Sequence, residues 1–197
     1  LMIGSASYAV ELQSLDGTWE IVFDADDVGR IEEWHRSAVF KTLDTRRKIT
    51  VPSCWETIEK DYEGVAYYRH MFKVDPAWTG KVVRLQFDAV NFIVVVWLNG
   101  VAVGTHEGGF TPFEFRVDDL LKFDEVNLLT LRVAGPILMT DKRIDGIGKF
   151  ETTQWRGAIT GGIWQPVRLV ATEAVVIDDV FIQPRITDNT AAFGLEL

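Results

Sequence analysis

Residues 94–115 read VVVWLNGVAVGTHEGGFTPFEF, an apolar run, an Asn99-Gly100 pair, a second apolar run and then a glycine-rich stretch. A two-residue Asn-Gly loop favours the positive φ angles of a type I′ turn, whose twist matches that of the strands it joins. The stretch therefore predicts a β-hairpin followed by a loop built on Gly104, Gly108 and Gly109. Just before the turn, Ile93 to Leu98 is apolar on both faces, which predicts a central strand or one that faces two layers. Just after the loop, Phe113, Phe115 and Val117 alternate with Glu114 and Arg116, the two-residue period of a half-buried strand.

The same alternation recurs outward in both directions. Trp19, Ile21 and Phe23 follow the turn-forming Asp16-Gly17, Val83, Leu85 and Phe87 alternate with Arg84 and Gln86, and Leu129, Leu131 and Val133 alternate with Thr130 and Arg132. Proline cannot donate to a strand ladder, so the Ile163 to Leu169 run, which contains Pro166, is expected at an edge or with a bulge. Helical signal is thin: a short helix over Val28 to Arg36 and one turn over Asp118 to Lys122. Many strands with few helices point to an all-β sandwich or jelly roll. Near residue 174 the pattern resets. Val180 and Ile182, a polar turn at 187–190, and Phe193, Leu195 and Leu197 predict the opening strands of a second, truncated β-domain, which divides the chain into 1–173 and 174–197.

At 197 residues with 47% hydrophobic residues, the chain has ample material for a packed core. Its formal net charge of −9 gives no basic footprint for a phosphate backbone or an anionic membrane surface, so neither nucleic acid nor membrane is expected as a partner. Cys54 is the single cysteine, which excludes an internal disulfide and a cysteine-based zinc site. Residues 1–10 lack the basic start and long apolar core of a signal peptide, and no run has the length of a membrane helix.

Common catalytic templates are absent. His106-Glu107 would open a zinc-protease motif, but Phe110 stands where its second histidine belongs, and His35 and His70 have no ligand spacing. The glycines at 104, 108 and 109 match neither the dinucleotide nor the P-loop pattern, and Ser53 lacks the nucleophile elbow. No metal and no cofactor is expected. Acid/base hydrolysis needs two converging carboxylates, whereas the neighbours Asp26-Asp27, Asp118-Asp119 and Asp178-Asp179 would point to opposite faces of a strand and read as turn and surface residues.

Six segments, in order, resemble the amino-terminal sugar-binding domain of glycoside hydrolase family 2, the group of β-galactosidases, β-glucuronidases and β-mannosidases. They are LDGTW at 15–19, VPSCW at 51–55, GVAYYRHMF at 64–72, LQFDAVN at 85–91, the quoted hairpin and loop, and GGIWQPV at 161–167. The resemblance covers residues of about 14 to 172. It implies a jelly-roll, galactose-binding-like sandwich, then an immunoglobulin-like domain, then a catalytic barrel whose acid/base glutamate follows an asparagine. This chain has no Asn-Glu pair and is too short for a barrel of roughly 250 residues beside its strands. The resemblance thus implies the non-catalytic front of a retaining glycosidase, with no catalytic residue of its own, carbohydrate and the downstream domains as partners, and a homo-oligomer as a further option. A free-standing lectin-like module and a purely structural domain are the alternatives.

In the family, a loop shortly before the GGIW segment reaches the active site. Counting back without gaps puts it at Gln154, Trp155 and Arg156. Arg156 stands where β-galactosidase and β-glucuronidase have aspartate, and a guanidinium there suits a carboxylated sugar. Trp155 is read either as a ring that covers the C–H face of a pyranose or as a loop anchor. His106 is read as a brace bridging two segments of its loop, or as part of the pocket. Tyr62 and Glu63 either line the same end or lie on the surface. Trp19, Trp97 and Trp164 are expected in the core, and Trp78 as a structural turn cap.

Overall fold

A computed structural model describes residues 10–137, 160–175, 179–185 and 190–196. Its strands are β1 (Glu11–Ser14), β2 (Gly17–Asp24), β3 (Arg47–Val51), β4 (Val65–Phe72), β5 (Val82–Phe87), β6 (Ile93–Leu98), β7 (Val101–Glu107), β8 (Phe113–Arg116), β9 (Asn127–Ala134), β10 (Val167–Thr172), β11 (Asp179–Arg185) and β12 (Thr190–Glu196). All pair antiparallel, in a four-stranded sheet ordered β1-β10-β5-β8, a six-stranded sheet ordered β3-β2-β4-β9-β6-β7, and the β11-β12 pair. The chain is the all-β sandwich its alternation predicts.

The Asn99-Gly100 turn forms as expected. Both residues have positive φ, 53° and 83°, and Leu98 pairs with Val101 across the turn. The Asn99 side chain ties this turn to β9, donating to the Leu120 carbonyl and the Asn127 carboxamide at 2.8 Å each and accepting from Leu128 N–H at 2.9 Å.

The inward rows of the two sheets interdigitate. Leu85, Phe87, Leu169 and Ala171 from one and Trp19, Ile21, Tyr68, Val94, Val96, Leu129 and Leu131 from the other form one buried cluster, whose apolar area removed from water is the main stabilising term. The six-stranded sheet also buries part of its outer face. Val22, Val65, Tyr67 and Ala134 lie under Trp34, Phe40 and Ile137, so β4 is covered on both sides. Apart from Ile137, the cover is a strap of residues 25–43, and its only α-helix is α1 (Ser37–Phe40); the helix expected over Val28 to Arg36 is instead a 3₁₀ turn at Val28–Arg30 followed by turns. Four contacts fix the strap: Arg132 to Asp27 at 2.7 Å, Trp34 against Tyr67 at 5.7 Å, His35 stacked on Trp97 at 4.8 Å, and Arg69 donating to Ser37 Oγ at 3.1 Å.

These contacts correct three expectations. Asp27 is 8% exposed and ion-paired, not a surface residue, because the strap folds it over Arg132. Trp97 lies on the outer face beneath His35 and Trp164 in the loop before β10, where it donates to the Gly109 carbonyl at 2.8 Å; neither belongs to the inter-sheet core. Trp19 does. Trp78 is structural as expected, buried at the end of the Pro76–Trp78 turn with its indole donating to Glu11 at 2.7 Å, although the cap of that turn is Asp75, which accepts from Ala77 N–H. Pro166 precedes β10 rather than interrupting it, so β10 sits inside its sheet, not at an edge.

Candidate functional site

The described chain stops at Ile137 and resumes at Thr160; Gln154, Trp155 and Arg156 lie outside the described residues. What can be described is the seat that receives both stems of that segment. Its centre is Trp55, fully buried at the start of a 3₁₀ turn after β3. The indole lies so close to Gly135 on one stem and Gly161 on the other that a Cβ at either would overlap it. Glycine is required there for room.

Hydrogen bonds hold the returning stem. Trp55 N–H donates to the Gly161 carbonyl at 3.0 Å, and Ser53 N–H to that of Ile163 at 2.9 Å. On the other side Asn91 and Gly162 exchange both backbone bonds, at 2.9 and 3.0 Å, and the Asn91 side-chain amide donates to the Thr160 carbonyl. Glu56 completes the seat: both of its carboxylate oxygens accept from Gly161 N–H, at 3.0 and 3.2 Å. Burial pushes the Glu56 carboxyl above the usual carboxylate range, against the downward pull of backbone N–H groups that include that of Gly161.

Tyr62 and Glu63 sit beside this seat, but not as surface residues. Tyr62 packs edge-on against Trp55 at 5.5 Å and Phe23 at 4.6 Å, and its hydroxyl donates to the Val65 carbonyl at 2.6 Å. Glu63 is only 3% exposed. Packing at the end of β4 draws both inward. His106 lies on β7 itself, its ring stacked on Phe113 at 4.1 Å and its Nε2 3.4 Å from Thr111 Oγ1. It thus links the strand to the loop beyond Gly108, and burial lowers its pKa below the ordinary histidine value.

Glu56 and Asn91 were not singled out by sequence reasoning. Glu56 directly follows VPSCW and Asn91 ends LQFDAVN, and their role becomes visible only once Gly161 and Gly162 are brought between them. Among the described residues, no group of three His, Cys, Asp or Glu side chains could hold a metal ion, and no helix is long and apolar enough to cross a membrane.

The fold defines a β-sandwich domain in which the segments after β3, after β5 and before β10 meet. The sequence profile described as "Glycosyl hydrolases family 2, sugar binding domain" matches residues 57–172, and the chain belongs to that family. A β-glucuronidase of Paenibacillus borealis is 25% identical over 95% of this chain, and a β-galactosidase of Thermoanaerobacter pseudethanolicus 30% identical over 70% of it. The chain spans 33% of the first and 18% of the second. A solved β-glucuronidase of an uncultured Clostridium superposes with a TM-score of 0.76 at 26% identity, covering 95% of this chain and 34% of that one. A Ruminococcus gnavus β-glucuronidase solved with D-glucuronic acid shares the fold, with a TM-score of 0.76 at 21% identity.

Proposed function

We propose that this chain is the non-catalytic amino-terminal carbohydrate-binding region of a family 2 β-glycosidase, whose loop at Gln154, Trp155 and Arg156 joins the rim of an active site carried by later domains and whose surface packs against them. In this reading residues 1–173 form the sugar-binding domain, and 174–197 open an immunoglobulin-like domain. The observation that carries the reading is the seat. Trp55 and Glu56 from one element and Asn91 from another converge on the stems of one segment, as a site on a rigid scaffold requires. Among the sugars for which the relatives are named, glucuronides bear the carboxylate that the Arg156 guanidinium would pair with.

A rim supplies only part of a pocket, and affinity falls steeply when the buried contacts of the other side are missing. Calorimetry of this chain with glucuronate, galactose and their oligosaccharides should give millimolar or weaker binding, lost in Trp155→Ala. Micromolar binding that Trp155→Ala leaves intact would overturn the rim reading and put the free-standing lectin-like module ahead.

A further inference from the structure

A cleft of about 510 Å³ opens where β3 begins, between the end of β2, the segment Asp44–Arg47 and the turn at Glu59–Tyr62. Its volume lies within the range of small-molecule sites, roughly 300–1,000 Å³. Half-buried Phe23 and Tyr62 form an apolar wall. That wall is preformed: the Tyr62 hydroxyl is committed to Val65, and Arg47 spans the cleft, bonded to the Glu59 carboxylate and the Ile58 carbonyl with its guanidinium over the Phe23 ring at 5.7 Å.

The polar groups at the mouth are different. Asp44, Thr45 and Arg46 are exposed, and among the described residues neither Asp44 nor Arg46 has a side-chain hydrogen bond or ion pair. The cleft thus offers an uncommitted carboxylate acceptor, an uncommitted five-donor fork and a hydroxyl beside an apolar surface. A pyranose matches this set, because each of its hydroxyls both donates and accepts while its C–H face is apolar. Among the lining residues the charges of Arg46 and Arg47 offset those of Asp44 and Glu59, and Asp24 and Asp26 act on Tyr62 besides, so no net positive field selects an anion. Tyr62 joins this cleft to the Trp55 seat.

We propose that this cleft is a second carbohydrate subsite that takes a neutral hexopyranosyl unit, separate from the loop at 154–156. The proposal rests on the carbohydrate-binding reading of the chain and adds to it the place and class of a second sugar.

The test is amide-resolved NMR of the ¹⁵N-labelled chain titrated with methyl β-galactopyranoside and, separately, glucuronate at tens of millimolar. The galactoside should shift the amides of residues 44–47 and 59–62. Arg46→Ala should weaken that response about tenfold, the loss of one charge-assisted hydrogen bond, with unchanged melting temperature and with any shifts at Thr160–Trp164 retained. Galactoside shifts confined to Thr160–Trp164 would overturn the subsite and leave the proposed function standing. A cleft response to glucuronate alone would overturn its neutral character. No response to either sugar at residues 44–47 and 59–62 would overturn the subsite and leave the proposed function, which allows binding weaker than millimolar, standing.

Discussion

The indole of Trp55 lies directly against Gly161, close enough to exclude a methyl group on that residue. The consequence can be measured. Gly161→Ala forces the returning stem off its seat or the indole out of its packing, and overpacking of this kind costs about 1–3 kcal/mol. Denaturant unfolding should show that loss, and amide exchange should show Gly161 and Gly162 less protected. A variant as stable as the parent would mean that the stem can shift freely.

Gly100 has φ +83°, with nothing near its absent Cβ, so the strain of a side chain there would be purely in the backbone. Gly100→Val places a β-branched residue in the left-handed region and should cost about 1–3 kcal/mol. Asn99→Ala should add the loss of three hydrogen bonds to Leu120, Asn127 and Leu128. Unchanged melting of both variants would refute the type I′ assignment.

Arg132 and Asp27 form a pair in which both side chains are nearly excluded from solvent. Removing Arg132 leaves the buried Asp27 with only the partly exposed Arg30, 3.3 Å away, at a cost of about 3 kcal/mol, the lower end for breaking a buried pair. Arg132→Met should therefore be severely destabilised, and Arg132→Met with Asp27→Asn should recover part of the loss. A double variant worse than the single one would show that the strap needs the charges themselves.

Burial holds the pKa values of His35, His70 and His106 below the ordinary 6.5. The unfolded chain then takes up protons before the folded one, so stability is full above pH 6.5 and falls as the pH drops through it. His70, stacked between Trp19 and Phe72, is the most deeply placed. Asp24 and Glu56, raised by burial, act in the opposite sense in the lower range where carboxyls titrate, because there the folded state protonates first. Melting temperature should decline from about pH 7.5 to 5.5, and less so in His70→Gln. Equal slopes in the two proteins would remove His70 as the source.

The hairpin, the inward rows of β5, β8 and β9 and the family were legible because each rests on local pattern: a two-residue turn, a period of two, short motifs in order. The strap was not, because what makes it a layer is the pairing of Asp27 with Arg132 and of His35 with Trp97, partners remote in sequence whose types carry no local signal. That also explains the misplacement of Trp97, since alternation separates two faces without saying which one a strap will cover. Trp164 failed differently: GGIWQPV looks like a strand, but Pro166 cannot donate to a ladder, and β10 starts only after it. Tyr62 does lie in the loop before β4, but its inward packing against Phe23 and Trp55 is a contact between distant segments that no local pattern announces.

The two sheets draw on the chain in different orders. Every strand of the six-stranded sheet lies within residues 17–134, whereas β1 pairs only with β10, Glu11 opposite Ala171. A chain emerging from the ribosome can complete the larger sheet and its strap while β1 waits, unpaired, for residues 167–172. Throughout that interval the inner face of the larger sheet is only partly roofed, by β5 and β8. Closing so long a loop is entropically costly and slow, so synthesis holds open a window in which that apolar face is available to a chaperone or to another nascent chain.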